Sequence, residues 1–199
     1  MDVVLVGLPG SGKTAVGRVL ATRLGATFVD LDGDIEATAG ATIQELFDRE
    51  GEPGFRARER EAVERLGPPH AGPGVARVIA AGGGTVVDPR NRWRLYRERR
   101  GIWLDAATDV LVARLRSTTV ARPLLAGGDL VAGLDGLRAA RLPFYAACPR
   151  IDAEGDPVTV AERVEATVPA GARGPRSRPD PTAPRAGVML LHVAGPSGR

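Results

Sequence analysis

The stretch "VVLVGLPGSGKTAVGRVL", residues 3 to 20, constrains this chain more than any other segment. Gly7, four intervening residues, then Gly12, Lys13 and Thr14 match the spacing G-x-x-x-x-G-K-[ST] of a phosphate-binding loop. That spacing has physical content only between a buried strand and a helix, and both are present. Val3–Val6 is an apolar, β-branched run ended by glycine, which predicts a strand; Val16, Val19, Leu20 and Leu24 then recur at helical spacing before Gly25. Glycines let backbone N–H groups wrap a phosphate, and the helix N-terminus adds partial positive charge. Gly10, Ser11, Gly12, Lys13, Thr14 and Ala15 are therefore the candidate phosphate contacts. Lys13 is expected to reach the β and γ phosphates of ATP, and the Thr14 hydroxyl to coordinate magnesium. Lys13 is also the only lysine, beside 26 arginines. A compact ammonium on a thin stem enters a pocket too narrow for the planar guanidinium fork.

The pattern continues as alternating strands and helices. Further strands are predicted at Thr27–Val29, Val75–Ala81, Ile102–Asp105 and Arg150–Asp152. Helices are predicted over residues 35–66 with a Gly-Glu-Pro-Gly break at 51–54, and over Arg90–Arg99, Val110–Leu115, Leu130–Tyr145 and Thr159–Val168. Such alternation implies an α/β/α sandwich on a short, mostly parallel sheet of about five strands, with ligands at the carboxyl ends of the strands. The acids of "DLDGD" and the run Gly82–Gly84 follow strands two and three, at that edge. Asp30 and Asp32 are expected on one side of an extended segment, with Asp34 capping the next helix. Arg92, Arg94, Arg97 and Arg99 read as a solvated helix face.

Composition narrows the class. The chain's +3 charge is misplaced as a clue: residues 169–199 carry five arginines and one aspartate, which leaves residues 1–168 near −1. With aromatics at 4%, nothing points to nucleic acid. No apolar run is long enough for a membrane span, and the N-terminus lacks a basic leader. Cys148 is alone, which excludes an internal disulfide and reads as a small apolar filler, so a cytoplasmic monomer is expected. From Pro169 onward, six prolines and five glycines in 31 residues predict a disordered tail, with one apolar island, "GVMLLHV", at 187–193. One domain over residues 1–168 is the expected unit. A guanine-reading N-K-x-D segment cannot exist here, because the single lysine is already used. A small-molecule kinase on a P-loop fold remains, with a non-catalytic nucleotide-binding regulator as its rival from another class.

Six segments in order then resemble the shikimate kinase family: "GLPGSGKTAVGRVLA", "FVDLDGDIEATAG", "IQELFDREGEPGFRARE", "GGGTV", "ARPLL" and "RLPFYAAC". The resemblance runs from Val3 to about Val168. It implies ATP-dependent phosphorylation of the 3-hydroxyl of shikimate, with Mg2+, on a P-loop kinase fold bearing a substrate-binding helical segment and a mobile lid. By the same resemblance Asp32 holds and helps deprotonate the attacked hydroxyl, and Asp30 is an outer-sphere magnesium partner. Arg56 and Arg141 bind the acid group, where a guanidinium fork matches a carboxylate. Gly82, Gly83 and Gly84 let the ring approach the main chain, with Gly83 the best match to a substrate contact. Arg114 resembles the adenine-stacking arginine, and Arg122 the lid cation that meets the transferring phosphoryl group. The segment before "RPLL" is about one residue longer than the family pattern, and no adenine contact is assigned at Gly155 or Asp156. Gluconate kinase or a nucleoside monophosphate kinase is the alternative on the same scaffold. The tail could also begin a fused neighbour such as 3-dehydroquinate synthase.

Overall fold

β1 (Asp2–Val6) is buried at every residue, as only a central strand covered on both faces can be. The computed structural model describes residues 1–117 and 129–169. Within them β2 (Thr27–Asp30), β3 (Arg77–Ala80), β4 (Arg100–Asp105) and β5 (Arg150–Asp152) join β1 in one sheet, in the order β2-β3-β1-β4-β5. Every pairing is parallel, with Leu5 opposite Ala80 on one side and Ile102 on the other. All five strands thus end on the same edge, and the loops that follow β1, β2 and β3 meet there.

The helices are α1 (Lys13–Leu24), α2 (Leu31–Ala39), α3 (Ile43–Arg65), α4 (Pro89–Tyr96), α5 (Thr108–Arg116), α6 (Leu130–Tyr145) and α7 (Pro157–Thr167). α1 packs on α7 and on β3, α2 on α3, and α5 on α6. Gly12 caps α1 at φ 90, a left-handed conformation that a side chain would strain. α3 starts with a capping box in which Thr42 and Glu45 satisfy each other's backbone donors. The expected break at 51–54 is made by one residue, Gly51 (φ 66, ψ −178), and Pro53 then sits in the first turn of the second half. That half carries Arg56 and Glu59.

Three expectations are corrected. β2 stops at Asp30, whose carboxylate accepts from Gly33 N at 3.4 Å, so Asp30 is the cap of α2 and Asp32 lies in its first helical turn, not on an extended segment. Asp34 is no cap: it is buried at 3% exposure and paired with Arg65 at 2.6 Å, fastening α2 to α3. Arg99 is not on a solvated helix face. α4 ends at Tyr96, and Arg99 turns inward to Asp2 Oδ2 at 3.2 Å and to the Gly67 carbonyl at 2.6 Å, while Arg77 spans both Asp2 oxygens and shares Oδ2 with Arg99. A carboxylate buried in the first strand requires such partners, since an unpaired one would cost several kcal/mol (about 3–5). Burial lowers the Arg99 pKa, and the Asp2 charge opposes that shift.

Cys148 is buried, and burial raises its thiol pKa, which suits inert packing. Among the described residues no helix is long and apolar enough to cross a membrane. Arg122 and residues 170–199, including "GVMLLHV", lie outside the described residues.

Candidate active site

A cavity of about 410 Å³ opens at the carboxyl edge of the sheet. Gly10, Gly12, Lys13, Thr14 and Ala15 form one end; Asp30 and Asp32 stand above β2; Phe47, Phe55, Arg56 and Glu59 come from α3; Gly83, Gly84, Arg114 and Arg141 complete the wall. Ser11 is buried beneath the loop, and Gly82 sits behind Asp32 instead of lining the space.

At the phosphate-loop end, Lys13 Nζ donates to the carbonyls of Gly7 (2.9 Å) and Leu8 (3.0 Å), which hold the ammonium across the mouth of the loop. Ser11 Oγ is buried with no partner among the described residues. Thr14 Oγ1 donates to Asp30 Oδ2 at 2.8 Å. A hydroxyl and a carboxylate oxygen at a phosphate site form a hard-oxygen donor set that suits magnesium. Arg114 reaches the Gly10 carbonyl at 3.4 Å and those of Ala153 and Gly155 at 2.9 and 3.0 Å, joining the loop to the turn before α7.

The other end is built for an acid. Arg56 gives Nη1 to Glu59 at 2.6 Å, and Nε and Nη2 to Glu52 at 3.2 and 2.7 Å. A guanidinium has five N–H donors, so two remain for a ligand. Burial works against the Arg56 charge, yet Glu59 and Glu52 together hold its pKa above the ordinary guanidinium value. Glu59 is 2% exposed and also accepts from Thr85 Oγ1 at 2.7 Å, so it braces Arg56 against the glycine turn. Arg141, 4% exposed, carries a buried Nη1 with no hydrogen-bond partner among the described residues. Leaving such a donor unmade costs about 1–3 kcal/mol, more for a charged group, which an anionic ligand would remove. Phe47 and Phe55, with ring centroids 4.7 Å apart, supply an apolar wall beside these charges.

The three glycines have distinct tasks. A β-carbon on Gly82 would lie 2.5 Å from Asp32 Oδ1; on Gly83, 3.0 Å from Arg141 Nη1; on Gly84, 2.5 Å from Arg56 Nη1. Each glycine therefore vacates the space of one charged side chain, and consecutive residues bring both guanidinium groups to one spot. Gly84→Ala leaves the fold intact, because only the flexible end of Arg56 must move, but weakens acceptor binding about fivefold to tenfold through the displaced fork. Acceptor titrations at saturating ATP, with a melting curve as control, measure this.

Of the residues expected from the sequence, Gly10, Gly12, Lys13, Thr14, Ala15, Asp30, Asp32, Arg56, Gly83, Gly84, Arg114 and Arg141 meet around this single cavity, and Arg122 lies outside the described residues. Glu59, Phe47 and Phe55 line the cavity without being expected there, and Tyr145, outside the lining, donates to the Gly83 carbonyl. Glu59 stands three residues after Arg56 and Tyr145 four after Arg141, spacings that share a helix face. The same spacing in a surface ion pair looks no different without the tertiary contacts.

Comparison with known proteins points to one family. The family model described as "Shikimate kinase" matches residues 9–168. A shikimate kinase of Symbiobacterium thermophilum is 48% identical over 179 residues, covering 87% of this chain and all of the relative. Among solved structures, a shikimate kinase from Acinetobacter baumannii in complex with shikimate superposes with a TM-score of 0.75 at 34% identity, covering 82% of this chain and 90% of that one. A shikimate kinase from Bacteroides thetaiotaomicron gives a TM-score of 0.74 at 30% identity, covering 83% and 97%.

Proposed function

The chain belongs to the shikimate kinase family, and from that premise we propose how its residues divide the work of ATP-dependent shikimate phosphorylation. The enzyme is a kinase that transfers a phosphoryl group from ATP to shikimate. The observation that carries the assignment of the acceptor end is Arg141 Nη1, without a hydrogen-bond partner among the described residues and buried beside Arg56 and an apolar aromatic wall. A ring with one carboxylate satisfies both the charge and the surface.

In the proposed arrangement Arg56 and Arg141 hold the acceptor carboxylate, and the Phe47–Phe55 wall covers the ring. Asp32 accepts a hydrogen bond from the 3-hydroxyl. The hydroxyl oxygen attacks the γ-phosphorus of ATP, the bond to the β-phosphate oxygen breaks, ADP leaves, and the hydroxyl proton passes through Asp32 to solvent. Lys13 and the loop N–H groups stabilise the phosphoryl oxygens, and little covalent help is needed, so positioning and charge dominate. Thr14 would hold Mg2+ directly and Asp30 through water, and the ion would neutralise phosphate charge. Arg114 would stack on adenine. Arg122 enters by family resemblance alone, as the cation at the transferring group. The proposal assigns residues 1–168 to one kinase domain working as a cytoplasmic monomer.

A coupled ADP-release assay across shikimate, gluconate and nucleoside monophosphates tests this reading. Shikimate should exceed every other acceptor in kcat/KM by about a hundredfold or more, because a site built for one set of polar groups rejects acceptors that leave them unpaired. Comparable turnover of gluconate would overturn it in favour of a neighbouring sugar-acid kinase, and ATP binding without turnover of any acceptor in favour of a regulator.

A further inference from the structure

Tyr145 closes α6 one turn after Arg141, and its side chain is 2% exposed. Its hydroxyl donates to the main-chain carbonyl of Gly83, 62 residues away in sequence. Its ring packs against Trp103 at 6.1 Å between centroids, which fixes the direction of the phenol. We propose that Tyr145 is a positioning residue for the acceptor: its hydroxyl struts the Gly83–Gly84 turn against α6, so that Arg141 and the turn keep one fixed relation. This rests on the reading of the acceptor end given above and deepens it.

The need for a strut follows from the turn itself. Three consecutive glycines vacate the space of Asp32, Arg141 and Arg56, but a glycine run is also the softest backbone a chain can make. Within it, the Thr85 and Val87 N–H groups bond the Gly82 and Gly84 carbonyls. The Gly83 carbonyl is outside that pattern and is held by Tyr145. In a planar trans peptide the carbonyl and the following N–H point in opposite directions. Anchoring Gly83 O therefore also sets the direction of the Gly84 N–H, beside the Arg56 guanidinium. Burial pushes the phenol up to about 12, opposed by the adjacent Arg141 charge, so the hydroxyl stays a donor across the working pH range.

Tyr145→Phe keeps the ring and its packing and removes the hydroxyl, which donates to Gly83 and also meets Arg141. The expected result is a rise of about tenfold in the KM for shikimate, with the KM for ATP within about twofold and kcat falling less than KM rises. Tyr96→Phe is the matched control. Its hydroxyl bonds the Phe144 carbonyl at 3.2 Å, away from the cavity lining, and its loss should leave both KM values unchanged. Placing 4-aminophenylalanine at 145 restores an N–H donor and should bring the shikimate KM back to within about threefold of the wild type. The proposal is overturned if Tyr145→Phe leaves the shikimate KM within about twofold, if the ATP KM rises in step, or if the amino analogue folds without rescue. Wild-type turnover of shikimate decides the reaction, whereas the ratio of variant to wild type decides the role of Tyr145.

Discussion

Lys13→Met lowers kcat by about a thousandfold or more and leaves the melting temperature near that of the wild type. The ammonium sits between the Gly7 and Leu8 carbonyls, at the mouth of the loop. Methionine reproduces the length and apolar stem of lysine without the charge, so the loop should keep its shape. What disappears is the cation proposed to face the phosphoryl oxygens. Its loss falls mainly on kcat, because an interaction that strengthens in the transition state accelerates the step, whereas uniform binding does not. Lys13→Arg should not rescue: the guanidinium is wider than the ammonium and has a different donor geometry. Steady-state kinetics at saturating ATP and shikimate, beside a thermal melt, measures both. A methionine variant retaining a tenth of the wild-type kcat would remove Lys13 from the chemistry.

Arg141→Leu raises the shikimate KM by about a hundredfold, while the ATP KM moves by less than about threefold. Leucine fills the apolar part of the space that Arg141 occupies and supplies no donor. In the proposed arrangement the substrate carboxylate then loses a charge-assisted bond in a buried place, where each such bond contributes about 1.5–3 kcal/mol. Arg56 would remain, braced by Glu59 and Glu52, so binding weakens but does not vanish. In the proposed arrangement Arg141 meets the acceptor and not the nucleotide, so the ATP KM should hold even though Gly83 packs on both Arg141 and the loop residues Pro9 and Gly7. Equal increases in both KM values would show that the substitution disturbs the whole site and that Arg141 is not the acid-binding group.

The start of α2 at Leu31 and its separation from α3 at residues 40–42 were not legible in the sequence, whereas the phosphate loop, the parallel sheet and the break at Gly51 were. Each depends on residues close in sequence: the loop on Gly7, Gly12, Lys13 and Thr14, the strand on Val3–Val6, the break on Gly51. That Arg56, Arg141, Gly83 and Gly84 would meet at one cavity was legible through family resemblance, not through periodicity, since an arginine on a helix looks the same whether it lines a cavity or faces solvent. The error at Arg99 has the same origin. Its neighbours Arg92, Arg94 and Arg97 suggest a charged surface, and only its meeting with Asp2, 97 residues away, shows that it is buried. Asp34 was misassigned for the converse reason, because a local role as cap was available while its partner Arg65 lay 31 residues distant.

From its amino acids alone, this chain is committed to a phosphate-binding α/β architecture, because strand, glycine loop and helix are local conformations written by contiguous residues. Tertiary structure alone decided which polar groups face one another: Glu59 braces Arg56, Tyr145 holds Gly83, Asp2 takes two arginines, and Arg141 Nη1 is buried with no hydrogen-bond partner among the described residues. Hydrophobic spacing determines which face of an element turns inward. Where a polar group finds its partner depends on segments that meet only after the sheet has assembled.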